Sequence, residues 1–164
     1  MKKIKKIFIS ILIIGFVSNI QSQNNFSNRK IDNLKNQVEQ LVEEDKKMTQ
    51  VMIDKVFSFG ELGFQEFETS KYMGAILEEN GFDVEYKISD IPTSWLATWS
   101  NGEGGPVIAL GSDFDGVPST SQYPGVAYEK PVVEGAPGHG EGHNIGLPIV
   151  LTSALSLKKI MIEN

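Results

Sequence analysis

From Ile31 onward apolar side chains recur every three or four positions: Ile31, Leu34, Val38, Leu41, Val42, Met48, Val51, Met52 and Val56, with mostly charged residues between them. That spacing lays one apolar stripe along a long amphipathic helix. A second helix is predicted over 65–79, burying Tyr72, Met73, Ile76 and Leu77, with Gly81 where a helix C-cap belongs. The period then changes to two. Residues 83–88 alternate and read as a strand, Ile91 and Pro92 break it, and 94–99 read as the next strand. The glycine-rich stretch 101–105 is a turn. Val107, Ile108, Ala109 and Leu110 form an unbroken apolar run, the pattern of a strand buried on both faces. A third helix is predicted from Asn144, with Pro148 in its first turn and Leu151, Leu155 and Ile160 facing inward. Helices, a hairpin and a buried central strand together imply an α/β domain with a mixed sheet.

Between that strand and the third helix lies an irregular stretch, 111–144, rich in Gly, Pro and Ser. Loops of such length in compact domains are usually functional or disordered. Tyr123, Val126, Tyr128, Val132 and Val133 within it favour a packed loop.

The N-terminus carries a different signal. Lys2, Lys3, Lys5 and Lys6 precede a run, 7–17, that is apolar except for Ser10 and Gly15, and a polar stretch ending at Ser22 and Gln23 follows. The run is short for a bilayer span, so 1–23 reads as an export signal peptide in preference to an uncleaved anchor. A flexible lead-in, 24–30, then precedes a single domain, 31–164, and the mature protein is expected to be periplasmic or secreted. No cysteine follows the apolar run, which excludes a lipoprotein anchor, and no cysteine occurs anywhere, so stability rests on core packing and any bound metal. The formal net charge of −6 argues against nucleic acid, which needs a basic footprint.

Chemistry concentrates at one place. Both histidines of the chain fall in the pentapeptide His139-Gly140-Glu141-Gly142-His143. Imidazole and carboxylate are ligands that borderline divalent ions such as Zn²⁺ favour. Flanking glycines let the backbone bend so that neighbouring side chains converge. Asp113 and Asp115 precede this loop at the carboxyl end of the expected strand, where open α/β sheets bind ligands, and they project to one side. Two simpler readings compete: an exposed glycine-rich loop that happens to hold two histidines, and aspartates that cap a turn.

Three segments, taken together, carry a resemblance. They are 60–70 (Gly-Glu-Leu-Gly-Phe-Gln-Glu-Phe-Glu-Thr-Ser), 113–118 (Asp-Phe-Asp-Gly-Val-Pro) and 137–144 (Pro-Gly-His-Gly-Glu-Gly-His-Asn). In order and approximate spacing they resemble the zinc-dependent aminoacylase and carboxypeptidase-type amidohydrolases, in particular the branch like the aminobenzoyl-glutamate hydrolase B subunit. The resemblance covers 31–164. It implies a dinuclear-zinc-peptidase-like catalytic domain that hydrolyses amide bonds of N-acyl amino acids or short peptides and is homodimeric at full length. It also implies two divalent ions. Zn²⁺, Mn²⁺ and Co²⁺ all suit such mixed N/O ligands.

Carried over residue by residue, the resemblance makes Glu141 and His143 metal ligands, with Glu141 where the related branch has cysteine. Asp113 takes the place of a metal-binding histidine in other branches, and His139 completes the candidate ligands. Asp115 matches the aspartate that orients the site from behind a ligand. The general-base Glu-Glu pair of the family lies after the third helix. Here Glu43-Glu44 and Glu78-Glu79 both precede the metal loop, and no later histidine is present. The chain is therefore expected to be the N-terminal part of such an enzyme, inactive by itself. The alternative is a non-catalytic exported metal-binding or interaction module of the same fold.

Overall fold

The computed structural model describes the backbone of residues 2–164 and the side chains from Asn28 onward. Helix α1 spans Lys2–Phe59. The expected export signal falls outside the described side chains, and most of the lead-in does too. Two compact units divide within α1, Met1–Gln40 and Leu41–Asn164. The second holds every other element: α2 (Phe67–Glu79), β1 (Asp83–Tyr86), a single 3₁₀ turn (Ile88–Asp90), β2 (Trp95–Thr98) and α3 (His143–Glu163).

Its core is where three helical stripes meet. Met52 and Val56 of α1, Met73 and Leu77 of α2, and Leu147, Leu151 and Leu155 of α3 are all buried. Met52, Val56 and Met73 retain no exposed surface, so truncating either methionine to alanine would cost about 2–5 kcal/mol. Tyr72 and Ile76, expected inside, pack on the rim of this cluster and are half-buried. Polar ties reinforce the joint between α1 and α3: the Thr49 and Thr152 hydroxyls lie 2.7 Å apart, and Lys159 Nζ lies 3.0 Å from the Asp45 carboxylate. The apolar helix α3 is long enough to cross a membrane, but its inward stripe is committed to this core. It begins at His143, which puts Pro148 in the second turn, where the missing amide leaves one helical hydrogen bond unmade.

Helix α2 ends as its sequence requires. Gly81 has φ +75°, its amide donates to Glu78 O at 2.9 Å, and the Phe82 amide donates to Leu77 O at 3.0 Å. That pair of bonds defines a Schellman cap, and Phe82 packs back on the core as such caps favour. The chain then enters β1, which pairs antiparallel with β2 in the register Asp83 with Thr98 through Tyr86 with Trp95.

The third expected strand does not form. Val107, Ile108 and Leu110 are irregular and exposed, Val107 to 97%. Their β propensity needs a neighbouring strand to act on, and among the described residues β1 and β2 pair only with each other. The long loop is likewise held differently from the expectation. Tyr123, Tyr128, Val132 and Val133 are exposed, and its order comes from hydrogen bonds: Ser121 N to Ala136 O, Tyr123 N to Lys130 O, and Gln122 Nε2 to Tyr128 O.

Candidate metal centre

Three short backbone ties bring the chemistry-bearing segments together. The Gly116 amide donates to Glu61 O at 2.6 Å, and Leu62 and Gly116 form a parallel bridge. Val117 and Gly138 exchange two bonds, 2.8 and 3.1 Å, as an antiparallel bridge. The loop 60–66 thus flanks the Asp115 backbone on one side, and the histidine loop flanks it on the other. Gly138 has to be glycine here, because a Cβ would lie 2.5 Å from the Thr120 carbonyl oxygen, which is itself backbone. Thr120 Oγ1 donates to Gly138 O at 2.8 Å and locks the approach.

Phe114 packs against the core, its ring stacked on Trp95 with centroids 6.4 Å apart. Alternation along the extended chain then turns Asp113 and Asp115 the opposite way, as the sequence predicts. Both meet His143. Asp115 Oδ1 lies 3.0 Å and its backbone oxygen 3.2 Å from His143 Nδ1. At the other ring nitrogen, Glu141 Oε2 lies 3.4 Å and Asp113 Oδ2 4.0 Å from Nε2.

This arrangement fixes the tautomer. Two oxygens accept from Nδ1–H, so the lone pair of the neutral ring is on Nε2 and points among two carboxylates. Facing acceptors repel unless a positive charge lies between them, and 3.4 and 4.0 Å exceed ordinary N–H···O hydrogen-bond lengths. Ligand atoms about 2.0–2.1 Å from a tetrahedral ion lie about 3.4 Å from one another, which the Glu141–His143 pair matches. A carboxylate behind a ligating histidine is also the usual means of aiming its ring. Glu141 and His143 therefore fit a divalent ion, and Asp113, mostly exposed, is wide of that spacing by about 0.6 Å. Among the described residues no group of three or more His, Asp or Glu side chains is set to hold a metal ion. The pair supplies two ligands, not three.

His139 goes elsewhere. Its Nε2 lies 3.0 Å from the Val56 carbonyl in the last turn of α1, and its Nδ1 is buried without a partner. Burial holds this imidazole below its ordinary pKa, against the Val56 carbonyl, which favours the charged form. With Nε2–H given to a carbonyl, that nitrogen is not free to be the ligand expected of it, although the ring lies near enough to His143 and Asp115 to feel their charges.

Glu61 is the residue whose role the sequence did not disclose. Its carboxylate accepts the Glu68 and Thr69 amides, both at 2.9 Å, and the Thr69 hydroxyl at 2.8 Å. It thereby satisfies the open donors at the start of α2, whose adjacent residue Glu66 makes no such cap. Glu66 is buried and accepts from Thr93 Oγ1 at 2.6 Å. A glutamate six residues before a helix is outside the usual capping pattern, so only the repeated acidic residues of 60–70 hinted at it.

Over 122 residues the chain is 31% identical to the B subunit of the p-aminobenzoyl-glutamate hydrolase of Escherichia coli (strain K12). It is a partial relative of that hydrolase component. The match covers 74% of this chain and spans about a quarter, 25%, of the length of that relative. No family model matches the chain, and no solved structure does.

Proposed function

We propose that this chain carries part of the cation site of a metal-dependent amidohydrolase of the metallopeptidase type. In the longer protein it would act on amide bonds of N-acyl amino acids or short peptides, aryl-acyl glutamates among them. The observation that carries the reading is the His143 ring: its Nδ1–H donates to Asp115, and its Nε2 faces Glu141 at the separation of two ligands sharing one ion. The partial likeness to a hydrolase component supports the same reading.

In this reading Glu141 and His143 hold a divalent ion, Asp115 orients His143, and Asp113 lends negative charge at the open side. When bound, such an ion polarises a carbonyl and acidifies a water. In the same reading the remaining ligands, a second ion, the general base and homodimer contacts would come from parts of the longer protein that this chain does not hold. An α/β mixed-sheet catalytic domain and export to the periplasm or medium complete the proposal.

The test is cation uptake by the purified chain. Co²⁺ or Zn²⁺ should bind weakly, in keeping with two protein ligands, and His143→Ala should abolish it. Incubated with p-aminobenzoyl-glutamate or another N-acyl amino acid, the 164-residue chain should release no product. Zinc-dependent hydrolysis by this chain, or metal content unchanged in His143→Ala, would overturn the reading. A second reading, a metal-binding module without catalysis, is favoured by the want of a third ligand among the described residues. Joining the chain to the remainder of the relative and assaying hydrolysis separates the two.

A further inference from the structure

We propose that His139 is a positioning residue: its Nε2–H ties the cation loop to the end of α1 and so sets the Glu141–His143 spacing. The inference rests on the cation-site reading above and adds a residue to it.

The loop has little else to hold it. Gly138 is pinned by its bridge to Val117, and α3 takes over at His143. Between those points Gly140 and Gly142 have no side chains to pack, and Glu141 is exposed. The anchored side chain in the interval is His139, whose Nε2 meets Val56 O at 3.0 Å. Carbonyls in the last turn of a helix accept donors from outside it, so this bond costs α1 nothing. The ring lies beside Phe57, with centroids 6.4 Å apart. Its other nitrogen is buried and makes no hydrogen bond among the described residues, a state that is unfavourable in itself. A phenylalanine would fill the same space without that defect. What the position uses is therefore the donor, not the volume. Because Val56 belongs to the fully buried core, the tether refers the loop to that core.

The experiment compares the full chain with His139→Gln, whose amide retains a donor near the Nε2 position, and His139→Phe, which retains bulk alone. Co²⁺ titration by visible absorption gives affinity, and amide hydrogen exchange of Gly140–Gly142 in metal-free protein reads the tether directly. His139→Phe should bind Co²⁺ about 10- to 100-fold more weakly, as loss of a residue that aims a ligand does. Its loop amides should exchange at least about tenfold faster, a local opening without global unfolding. His139→Gln should restore both to within about threefold. If His139→Phe does not fold, His139→Asn, too short to reach Val56, takes its place. Equal affinity and equal exchange in the donor-less variant would overturn the proposal, as would His139→Gln failing as badly as His139→Phe. Should the unaltered chain bind no Co²⁺, the cation reading falls, and unchanged loop exchange would then overturn the tether separately.

Discussion

The carboxylate of Asp115 and the Nδ1 of His143 are 3.0 Å apart, from residues 28 positions distant in the chain. With the Asp115 backbone oxygen at 3.2 Å from the same atom, that bond decides which ring nitrogen is free. Asp115→Asn replaces an obligate acceptor with a group that can donate, and it relaxes the tautomer. Co²⁺ affinity should fall about 10- to 100-fold. Stability should change by less than about 1 kcal/mol, since Asp115 is partly exposed. Isothermal titration beside a denaturant melt measures both; undiminished affinity would remove Asp115 from the site.

If Glu141 is the proposed ligand, Glu141→Cys exchanges a hard oxygen for a thiolate. Zinc prefers a thiolate to a carboxylate. Competition with a chromophoric chelator should show Zn²⁺ held at least about tenfold more tightly. The Co²⁺ form should gain a sulfur-to-metal absorption band. No band and no tightening would mean that residue 141 does not face the ion.

Val107 and Ile108 are 97% and 58% exposed in an irregular apolar segment that pairs with no strand among the described residues. Exposed apolar segments of high β propensity pair with other chains. The unaltered protein should self-associate with rising concentration in sedimentation velocity, and a Val107→Lys, Ile108→Lys double variant should stay monomeric with an unchanged circular dichroism spectrum. A monomer at every concentration before substitution would refute this.

Tyr86 donates its hydroxyl to Glu78 at 3.2 Å and rests against Gly74. Burial first, then the Glu78 charge and hydrogen bond, raise its pKa above 10.0. Folding therefore favours the neutral phenol. Its contribution is complete below pH 10 and disappears as pH rises through the folded-state value. The midpoint of urea unfolding should drop more steeply as pH rises above 10 in the unaltered protein than in Tyr86→Phe. Parallel curves would show that Tyr86 is not the group responsible.

What was legible in the sequence divides along physical lines. Helical and strand periods report burial on one side, and α2, α3, β1 and β2 lie within a few residues of where the pattern puts them. The run 107–110 misleads because propensity says nothing of whether a partner strand is at hand. Glu141, His143, Asp113 and Asp115 could be grouped from residue type and alternation, and they do meet. His139 could not be resolved that way. Its partner is a backbone carbonyl 83 positions earlier, and carbonyls are the same in every residue. The long loop hid its order for a similar reason, being held by bonds to main-chain groups that composition does not encode.

Glu61 serves two elements at once. Its side chain seals the first turn of α2 while its carbonyl receives the Gly116 amide next to Asp115. One residue thus fastens a helix and the backbone beside Asp115 at once. Fraying at the start of α2 would loosen the backing of Asp115, and a cation held at the proposed site would in turn slow that fraying.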